Sequence, residues 1–283
     1  MAQEAMAATI GVMLDPRSAP FADLSLATRL EHTEGRGNAA FVEVQARQDP
    51  ASGAAWHDFD GTLAMFSGAG SPLTQSFGLG LGATPTDAQL DAIEHFFTSR
   101  DAAVIHEVSP LAGVDTFAAL AQRGYRPVEL SNVMFLTITN VLAAITVNPR
   151  ISVRAITRGE AGLYASVSAR GWSESAEVQA FIDGFARTSV DYALCIVAEI
   201  DRAAIATAAL FTWDGVGLLA GASTVPEGRR QGAQSALLDW RLRHLAADGC
   251  DLAMICAAPG SASQRNAERN GFRIAYTRMK WQR

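Results

Sequence analysis

The chain contains few cysteines. It also lacks metal-ligand spacing and long apolar runs, and these absences narrow the class of protein to which it can belong. The three cysteines, Cys195, Cys250 and Cys256, are an odd and scattered set that favours reduced thiols in a cytoplasm over a disulfide framework. The five histidines show no metal-ligand spacing, so no metal site is predicted. No charged segment followed by an apolar one opens the chain, and no apolar run approaches membrane-spanning length. We expect a soluble, cytoplasmic protein without a membrane partner.

Positive charge is also in short supply. There are 23 Lys and Arg residues against 29 Asp and Glu residues, which gives a formal net charge of −6. Surfaces that bind nucleic acid are usually basic, so this balance argues against a nucleic-acid partner. Hydrophobic residues make up 49% of the chain, enough to bury substantial cores. A length of 283 residues is long for one compact domain and comfortable for two.

One stretch of the second half, residues 224–238, has the features of an anion-binding loop. The apolar segment 216–223 before it predicts a buried strand, and leucines after it recur at helical spacing. Small residues around Gly232 leave successive backbone N–H groups free to turn toward one anion, and a helix N-terminus adds unsatisfied donors. Arg229 and Arg230 add positive charge. The stretch predicts a phosphate or pyrophosphate site; the alternative is an ordinary helix start with solvated arginines.

The spacing in this loop is neither that of a P-loop nor that of a dinucleotide-binding loop. Arg229, two residues, Gly232, one residue and then Gln234, with Pro226 and Glu227 in front, resembles the acyl-CoA pyrophosphate loop of the GNAT superfamily of N-acetyltransferases. The pattern of that family ends on Gly or Ala. The glutamine at this position is therefore a departure, and it is expected to crowd the phosphates.

A second segment, residues 261–273, resembles the last helix of the same family and the Gly-Phe turn that ends it. It follows a short apolar segment, 252–257, at the expected distance. Gly271 is expected to be the C-cap glycine, and Phe272 the buried residue beyond it. The resemblance covers roughly residues 151–283 and points to the superfamily rather than to a substrate.

The first half repeats the order of the second half. Its Gly-Tyr turn at 124–125 lies 147 residues before the Gly-Phe turn at 271–272 (271 − 124), about half the chain. We expect an α/β (α+β) fold of two GNAT-like domains in tandem, each a mixed, mostly antiparallel sheet flanked by helices. The first, residues 1–147, has no arginine in the loop position and an acidic helix cap, Asp87, so it is expected to have lost the cofactor. Residues 148–283 are expected to form the acyl-CoA-binding catalytic domain.

Several elements of the chain are predicted from local patterns alone. We predict an extension or a strand near residues 8–14, a helix over 21–31 and a strand over 39–45. The region 126–139 is expected to supply two strands. The two domains are expected to join near residues 140–149.

The resemblance implies an enzyme, an N-acetyltransferase that moves an acetyl group from acetyl-CoA to a primary amine of a small molecule or a peptide by direct transfer. It implies main-chain contacts with pantetheine from the strand, a pyrophosphate held by the loop, and CoA contacts from the last helix, where a solvent-facing role is the alternative. The implied cofactor-binding residues are Ala222, Ser223, Thr224 and Val225 in the strand, Arg229, Arg230, Gln231, Gly232, Ala233, Gln234 and Ser235 in the loop, and Ser263, Asn266 and Arg269 in the helix.

The catalytic groups of the family are not all present. The positions where it usually has an Asn and a Tyr, counted back from the Gly-Phe turn, hold Gly260 and Ala267. Tyr276, on the following strand, is the candidate substitute as proton donor. Glu199 and Asp214 are the nearest candidates for a general base. A structural tyrosine, a strand-edge glutamate and a turn aspartate are the alternatives.

Other residues have two interpretations at this level. Trp172, Trp213 and Phe185 are candidates for an acceptor pocket, although core aromatics show the same pattern. Cys256 is either a buried core cysteine or a nucleophile. For the whole chain, the alternative to an enzyme is a CoA-binding sensor or a structural tandem module without turnover. The first domain is expected to shape the acceptor cleft or to carry a homodimer contact.

Overall fold

The computed structural model describes residues 20–138, 145, 147–172 and 175–283. The first half contributes α1 (Leu24–Gln48), β1 (Ala55–Phe59), β2 (Thr62–Phe66), β3 (Gln75–Phe77), α2 (Asp87–Thr98), β4 (Ile105–Val108), α3 (Val114–Gln122) and β5 (Arg126–Thr137). The second half contributes β6 (Ile151–Ala155), α4 (Ala161–Trp172), α5 (Ala176–Ser189), β7 (Leu194–Ile200), β8 (Ala203–Trp213), β9 (Val216–Thr224), α6 (Ala233–Ala247), β10 (Leu252–Ala257), α7 (Ala262–Arg269) and β11 (Arg273–Gln282). None of the helices in these ranges is both long enough and apolar enough to cross a membrane.

The described strands form one sheet in the order β1-β2-β3-β4-β11-β5-β10-β9-β8-β7-β6. The last strand of the chain, β11, lies between β4 and β5 of the first half, and β5 in turn lies between β11 and β10. Each half therefore receives the final strand of the other. The antiparallel pairing of β5 with β11 joins the halves by a hydrogen-bonded ladder. The proposed division at residues 147 and 148 stays a prediction.

The order of elements repeats between the halves, as expected for a tandem fold. In the first half, antiparallel strands β1, β2 and β3 lead to α2, and β4 then returns parallel to β3. In the second half, antiparallel strands β7, β8 and β9 lead to α6, and β10 returns parallel to β9. A helix and a final strand follow in both. The expected mixed, mostly antiparallel sheet is confirmed.

Helices cover both faces of the sheet. Alternating residues of one strand face different helices: Val133 of β5 packs with α1, whereas Met134 packs with α6 and α7. In the same way Ala209 of β8 faces α4 and α5, and Leu210 faces α6. The face that carries α1, α4 and α5 is called the α1 face below. The other face carries α2, α3, α6 and α7.

The helix α1 is much longer than the sequence indicated. It begins after Asp23, whose side chain accepts from the Leu26 N–H, and it runs on through the region 39–45, where a strand was predicted. That prediction is wrong. The apolar residues of this region alternate with polar ones, but α1 is enclosed by the sheet on more than one side and therefore buries residues all round. The helix predicted over 21–31 is its first part.

The sheet curves around α1. A Cβ on Gly35 would touch Leu63 of β2 and Phe77 of β3, while a Cβ on Gly37 would touch Phe211 of β8 and Leu218 of β9. These strands are far apart in the strand order, so only a strongly bent sheet brings both sets to one helix. The two glycines allow this close approach.

Two further expectations are corrected by the fold. The region 126–139 forms one described strand, β5, rather than two, because its second part pairs along β10 without a turn. The N-cap of α2 is Thr86, whose hydroxyl accepts from the Gln89 N–H, and not Asp87. The region 8–14 and most of the expected join at 140–149 lie outside the described residues.

Candidate active site at the fork of two parallel strands

The parallel strands β9 and β10 pair only at their beginnings. Residues 216–218 pair with residues 252–254. Beyond this point β9 continues to Thr224 and β10 to Ala257, and no pairing joins these described residues. The strands therefore separate, and their facing edges carry main-chain groups without a strand partner. We call the gap between residues 219–224 and 255–257 the fork slot.

A β-bulge in β9 lies within the fork slot. The register between β8 and β9 shifts between Thr207 and Ala209, opposite Gly221, whose φ is +61°. Ala220 and Ala222 are exposed on either side of it. A bulge bends its strand away from the regular ladder, and here it accompanies the opening of the slot.

The bulge is held by a buried arginine whose surroundings could not be predicted from the sequence. Arg241 of α6 is 3% exposed, and its guanidinium donates to the carbonyl oxygens of Ala209 and Leu237, each at 3.2 Å. No described carboxylate forms an ion pair with it. Burial lowers the pKa of Arg241 to about 10. Its neighbour Arg243 is exposed and pairs with Asp239, so nothing in the local sequence distinguished the two.

The fork slot leads into the loop before α6. Gly232 is the N-cap residue with φ +90°, a left-handed conformation that suits glycine, and no side chain of the described residues caps the helix. In the described part of the chain, six successive backbone N–H groups have no hydrogen-bond acceptor, those of Arg230, Gln231, Gly232, Ala233, Gln234 and Ser235. Free donors at the positive end of a helix dipole favour an anion.

The described side chains around the loop make no hydrogen bond to these donors. The Nε2 of Gln234 donates to Thr224 Oγ1 at 2.8 Å, so this side chain lies against β9. The expected crowding of the phosphates stays a prediction. Gln231 donates back to the Glu227 carbonyl. Arg229 and Arg230 are exposed, and neither forms an ion pair with a described carboxylate. Two mobile positive charges thus flank the free N–H groups.

The remaining predicted cofactor residues fall into two groups. In β9, Ala222 is exposed on the slot side of the bulge, whereas Ser223 and Val225 are buried and bound to β8, through Thr207 and the Ile205 carbonyl. On α7, which begins five residues after the end of β10, the predicted residues are all exposed. These are Ser263, Asn266 and Arg269.

The two predicted catalytic residues lie in different places. Glu199 is on β7 and receives hydrogen bonds from Arg154; β8 separates it from the fork slot, so the structure does not bring it to the site. Tyr276 is 6% exposed and lies in the same cross-strand row as Cys256, with Val133 between them. Its hydroxyl donates to Glu31 Oε1 at 2.9 Å. Burial raises the pKa of Tyr276 well above its ordinary value.

A buried group of charges lies beside the slot on the α1 face, at the seam between the halves. Arg278 donates to both carboxylate oxygens of Glu34, at 2.7 and 2.9 Å, and its Nε lies 3.0 Å from Glu107. The thiol of Cys256, on the slot edge of β10, donates to Glu34 at 3.0 Å. We call this group the seam cluster; its members are Glu31, Glu34, Glu107, Arg278 and Lys280.

Within the seam cluster, burial raises the pKa of the carboxyl groups, whereas the nearby positive charge of Arg278 lowers it. Burial raises the pKa of Glu31 to about 7, because the partial compensation from Arg278 is smaller. Burial also opposes ionisation of Glu34, but the close guanidinium of Arg278 outweighs it and lowers the pKa of Glu34. Burial raises the pKa of the Cys256 thiol well above its usual range, which favours its interpretation as a core cysteine over a nucleophile.

The seam cluster was not predicted from the sequence because the first helix was predicted to end too early. The helix predicted over 21–31 stops before Glu34, and nothing local indicates that it crosses the sheet. The spacing of Glu31 and Glu34, which places both on one helix face, was the available signal. It needed the true length of α1 to be recognised.

Comparison with known proteins gives a fold but no sequence family. No protein-family model matches this sequence, and no curated protein matches it. A GCN5-related N-acetyltransferase from Kribbella flavida superposes with a TM-score of 0.64 over 91% of this chain and 95% of that one, at 16% identity. A tandem GNAT protein from the clavulanic acid biosynthesis pathway gives 0.55 over 93% and 96%, also at 16% identity.

A third solved structure agrees. A GCN5-related N-acetyltransferase from Sphaerobacter thermophilus gives a TM-score of 0.52 over 74% of this chain and 71% of that one, at 18% identity. The chain therefore has the fold of the GNAT acetyltransferases. It carries that fold twice, in the tandem arrangement expected from its repeated order of elements.

Proposed function

We propose that this protein is an acyltransferase that moves an acetyl group from acetyl-CoA to a primary amine. Its second half, residues 148–283 together with the exchanged strand β5, would hold the cofactor. One observation carries the proposal: the fork slot ends at six free N–H groups before an uncapped helix. The GNAT-type fold supports it.

The donor set fits acetyl-CoA. A diphosphate needs several converging donors and positive charge, which residues 230–235 and the exposed Arg229 and Arg230 supply. The pantetheine arm carries amide groups, and the free edges of β9 and β10 offer main-chain partners in the manner of an added strand. Ala222 and Thr224 are the slot-side residues proposed for this contact. Ser263, Asn266 and Arg269 are proposed as further contacts from α7.

When bound, acetyl-CoA supplies an acetyl group activated as a thioester. Transfer to a primary amine forms an N–C bond and breaks a C–S bond, while the nitrogen loses a proton and the departing sulfur gains one. The seam cluster is the group of acids and bases that reaches the slot edge, through Cys256 and Glu34. Glu31, with a pKa of about 7, can exchange a proton at neutral pH. In this proposal Tyr276 acts through its hydrogen bond to Glu31.

The alternative is a CoA-binding sensor or structural module without turnover. Two features favour it: Gly260 and Ala267 stand where the family has side chains for proton transfer, and the Tyr276 hydroxyl is buried and engaged by Glu31. Release of free CoA thiol in the presence of a panel of primary amines separates the two functions. Thiol release above the rate in buffer excludes the sensor.

The cofactor claim is tested by calorimetric titration of acetyl-CoA into the wild type and Ser235→Glu. Ser235 is the third residue of α6, where a carboxylate suits the helix but occupies the free N–H groups and repels a diphosphate. We expect an affinity loss of roughly 100-fold, since the change removes charge-assisted donors and adds repulsion. Thermal melting of the variant is expected to be unchanged.

The matched control is Ala88→Glu. It adds the same charge to the first turn of α2 in the first half, at an exposed position. Its affinity for acetyl-CoA should equal that of the wild type. A wild type that gives no binding heat, or a Ser235→Glu variant that binds as well as the wild type, would refute the assignment.

A further inference from the structure

A cleft of about 490 Å³ lies on the α1 face between α1, α5 and the loop that joins β2 to β3. Both halves of the chain build it. Phe41 and Gln45 come from α1, residues 67–71 form the loop, and Phe181 and Phe185 come from α5. Because it is formed at a contact between the halves, the cleft needs the tandem arrangement.

The lining of the cleft is mostly apolar and carries no charge. None of the thirteen described residues around it carries a charge. The rings of Phe41 and Phe185 stack with centroids 4.7 Å apart, and Phe181 leaves half of its surface exposed. At the rim, Ser67 and Gln45 bond each other at 2.6 Å, so these polar groups are already satisfied. Such a surface gains free energy by covering an aromatic or aliphatic group.

The cleft lies close to the fork slot along α1. Gly37 abuts Leu218, the last residue of β9 that pairs with β10. Phe41 follows Gly37 by one helical turn, about 6 Å along the axis. Glu34, which receives the Cys256 thiol at the slot edge, precedes Gly37 by almost one turn. The acid and the aromatic wall are thus about 10 Å apart on one helix, and Gly37, which abuts Leu218, lies between them.

The region beside the fork slot is charged, in contrast to the uncharged cleft. Because burial favours the neutral form of Glu31, the carboxylates that pair with the two cations, Arg278 and Lys280, are Glu34, Glu107 and Glu129. These three carboxylates outnumber the two cations by one, so a single positive charge is favoured near Glu34, which accepts from the Cys256 thiol at the slot edge. Polyamines and aminoglycosides carry several positive charges, for which the uncharged cleft offers no partner.

We propose that this cleft is the acceptor pocket, and that the acceptor is a primary amine with one positive charge and an uncharged aromatic or aliphatic group about 10 Å from its nitrogen. The proposal rests on the proposed function and names its substrate class. The amine lies at the fork beside Glu34, and the apolar group stacks against Phe41 and Phe185.

The test uses the full chain and three probe amines: n-propylamine, spermidine and 6-phenylhexylamine. Binding is measured by saturation-transfer NMR, and turnover by thiol release with acetyl-CoA. Because the cleft covers the phenyl group, 6-phenylhexylamine should surpass n-propylamine about 30-fold, both in apparent affinity and in kcat/KM. Spermidine should bind no better than n-propylamine.

The variants are Gly184→Trp and Gly184→Ala. Gly184 lines the cleft on α5, and a Cβ there meets nothing within 4 Å, so both variants are compatible with the fold. Replacing a helix glycine also removes a local instability. The indole of Gly184→Trp fills the cleft and should weaken the binding of the phenyl amine at least about tenfold, while the alanine leaves it unchanged. Neither variant should change n-propylamine binding.

The outcomes separate the two proposals. Binding of the phenyl amine that survives Gly184→Trp, or a preference for spermidine, overturns the acceptor pocket even when acetyl-CoA binds. Loss of phenyl-amine binding in Gly184→Trp alone supports the pocket, and this readout does not require acetyl-CoA. Absence of acetyl-CoA binding to the wild type overturns the proposed function instead. Phe21→Ala, at an exposed phenylalanine outside the cleft, is the control for nonspecific ring contacts.

Discussion

The first half of the chain has a fork of its own, and it differs from the second in how it ends. Strands β3 and β4 pair in parallel as far as Phe77, as β9 and β10 do as far as Leu218. A glycine with positive φ follows three residues later in each case, Gly80 and Gly221. The connection to the next helix differs in length. The N-cap residue follows Phe77 by nine residues in the first half, whereas it follows Leu218 by fourteen residues in the second half.

The shorter connection leaves the first fork closed. At Gly80 a Cβ would lie 2.5 Å from Thr116 Oγ1 and 2.9 Å from Ala112, so the chain itself fills the space that the second fork leaves open. The helix that follows is capped by Thr86, and Asp87 in its first turn is bound by Arg123. Apart from β6, which has no described counterpart in the first half, the strand order is the same in both halves. The proposed anion site therefore depends on five additional residues and an uncapped helix, not on the topology of the sheet.

The largest predicted difference between the forks is the loss of unfolding free energy when Gly80 or Gly221 is replaced by alanine. Gly80→Ala combines the cost of a positive φ with an overlap against a buried threonine and a fixed alanine, about 4 kcal/mol of unfolding free energy in total. Gly221→Ala meets its neighbours only at 3.6 Å or more, so it should cost the conformational penalty alone, about 1 kcal/mol. Urea unfolding at constant pH measures both.

The control for this pair must be a left-handed glycine with open space where a Cβ would lie. Gly113 has a φ of +82° with a ψ of 160°, a conformation that only glycine adopts easily, so it is not suitable, and Gly53→Ala is the control. Gly53 is left-handed, with φ +67° and ψ 12°, and a Cβ there meets only Phe66 at 3.9 Å. It should behave like Gly221→Ala. Equal costs for Gly80→Ala and Gly221→Ala would mean that the first fork is as open as the second, and the comparison would fail.

Local patterns were sufficient to predict most of the second half. The loop before α6 and the Gly-Phe turn are determined by residues next to each other in sequence, such as Gly232 and Gly271, so their conformations follow from short-range chemistry. The segment 252–257 is the strand β10 within the predicted limits. The repeated order of elements was also visible, because it depends on spacing alone.

Long-range packing explains what was missed. The region 39–45 has a strand-like alternation, yet it is helical because α1 continues through a curved sheet that no local window reveals. The exchange of β5 and β11 was not predicted, because both final strands occupy the same place in the repeated order of elements and spacing does not distinguish them. The seam cluster depends on both effects. Arg278 reaches Glu34 only when β11 crosses into the first half and α1 extends past residue 31.

The forks also differ in the buried group that titrates beside each of them. His106, in the first parallel pair, has its pKa lowered to about 3 by burial, and Glu31, near the second fork, has its pKa raised to about 7 by burial. Neutral forms are favoured in both cases, but the consequences for stability have opposite signs. The groups that face Glu31 are Glu34 on its own helix, Tyr276 and Arg278 on β11, Glu107 on β4 and Cys256 on β10.

We expect Glu31→Gln to change the slope of stability against pH. Glu31 holds its proton more tightly when folded, so its contribution is complete below pH 4.5 and falls by about 3 kcal/mol as pH rises to 7 and above. The glutamine cannot ionise and abolishes this loss. Between pH 5 and pH 8 the unfolding free energy should therefore fall more for the wild type than for the variant.

His106→Gln is the counterpart for the first fork. The folded-state pKa of His106 is depressed, so its contribution is present above pH 6.5 and is lost as pH falls toward 3. Its replacement should flatten the acid side of the stability curve, opposite to the effect of Glu31→Gln. Two variants that shift the curve in the same direction would contradict the assignment of these groups.

The smallest effect tests whether a closed fork can be opened by its helix cap alone. Thr86→Ala removes the hydroxyl that accepts from the Gln89 N–H, which should cost about 1 kcal/mol of stability. The donors at the start of α2 then become free, as those of α6 are. The first fork is still filled by its own chain at Gly80, and no arginine takes the place of Arg229. Calorimetry should accordingly give one acetyl-CoA per chain in both the wild type and Thr86→Ala, and a stoichiometry of two would show that the cap, rather than the five additional residues, closed the first site.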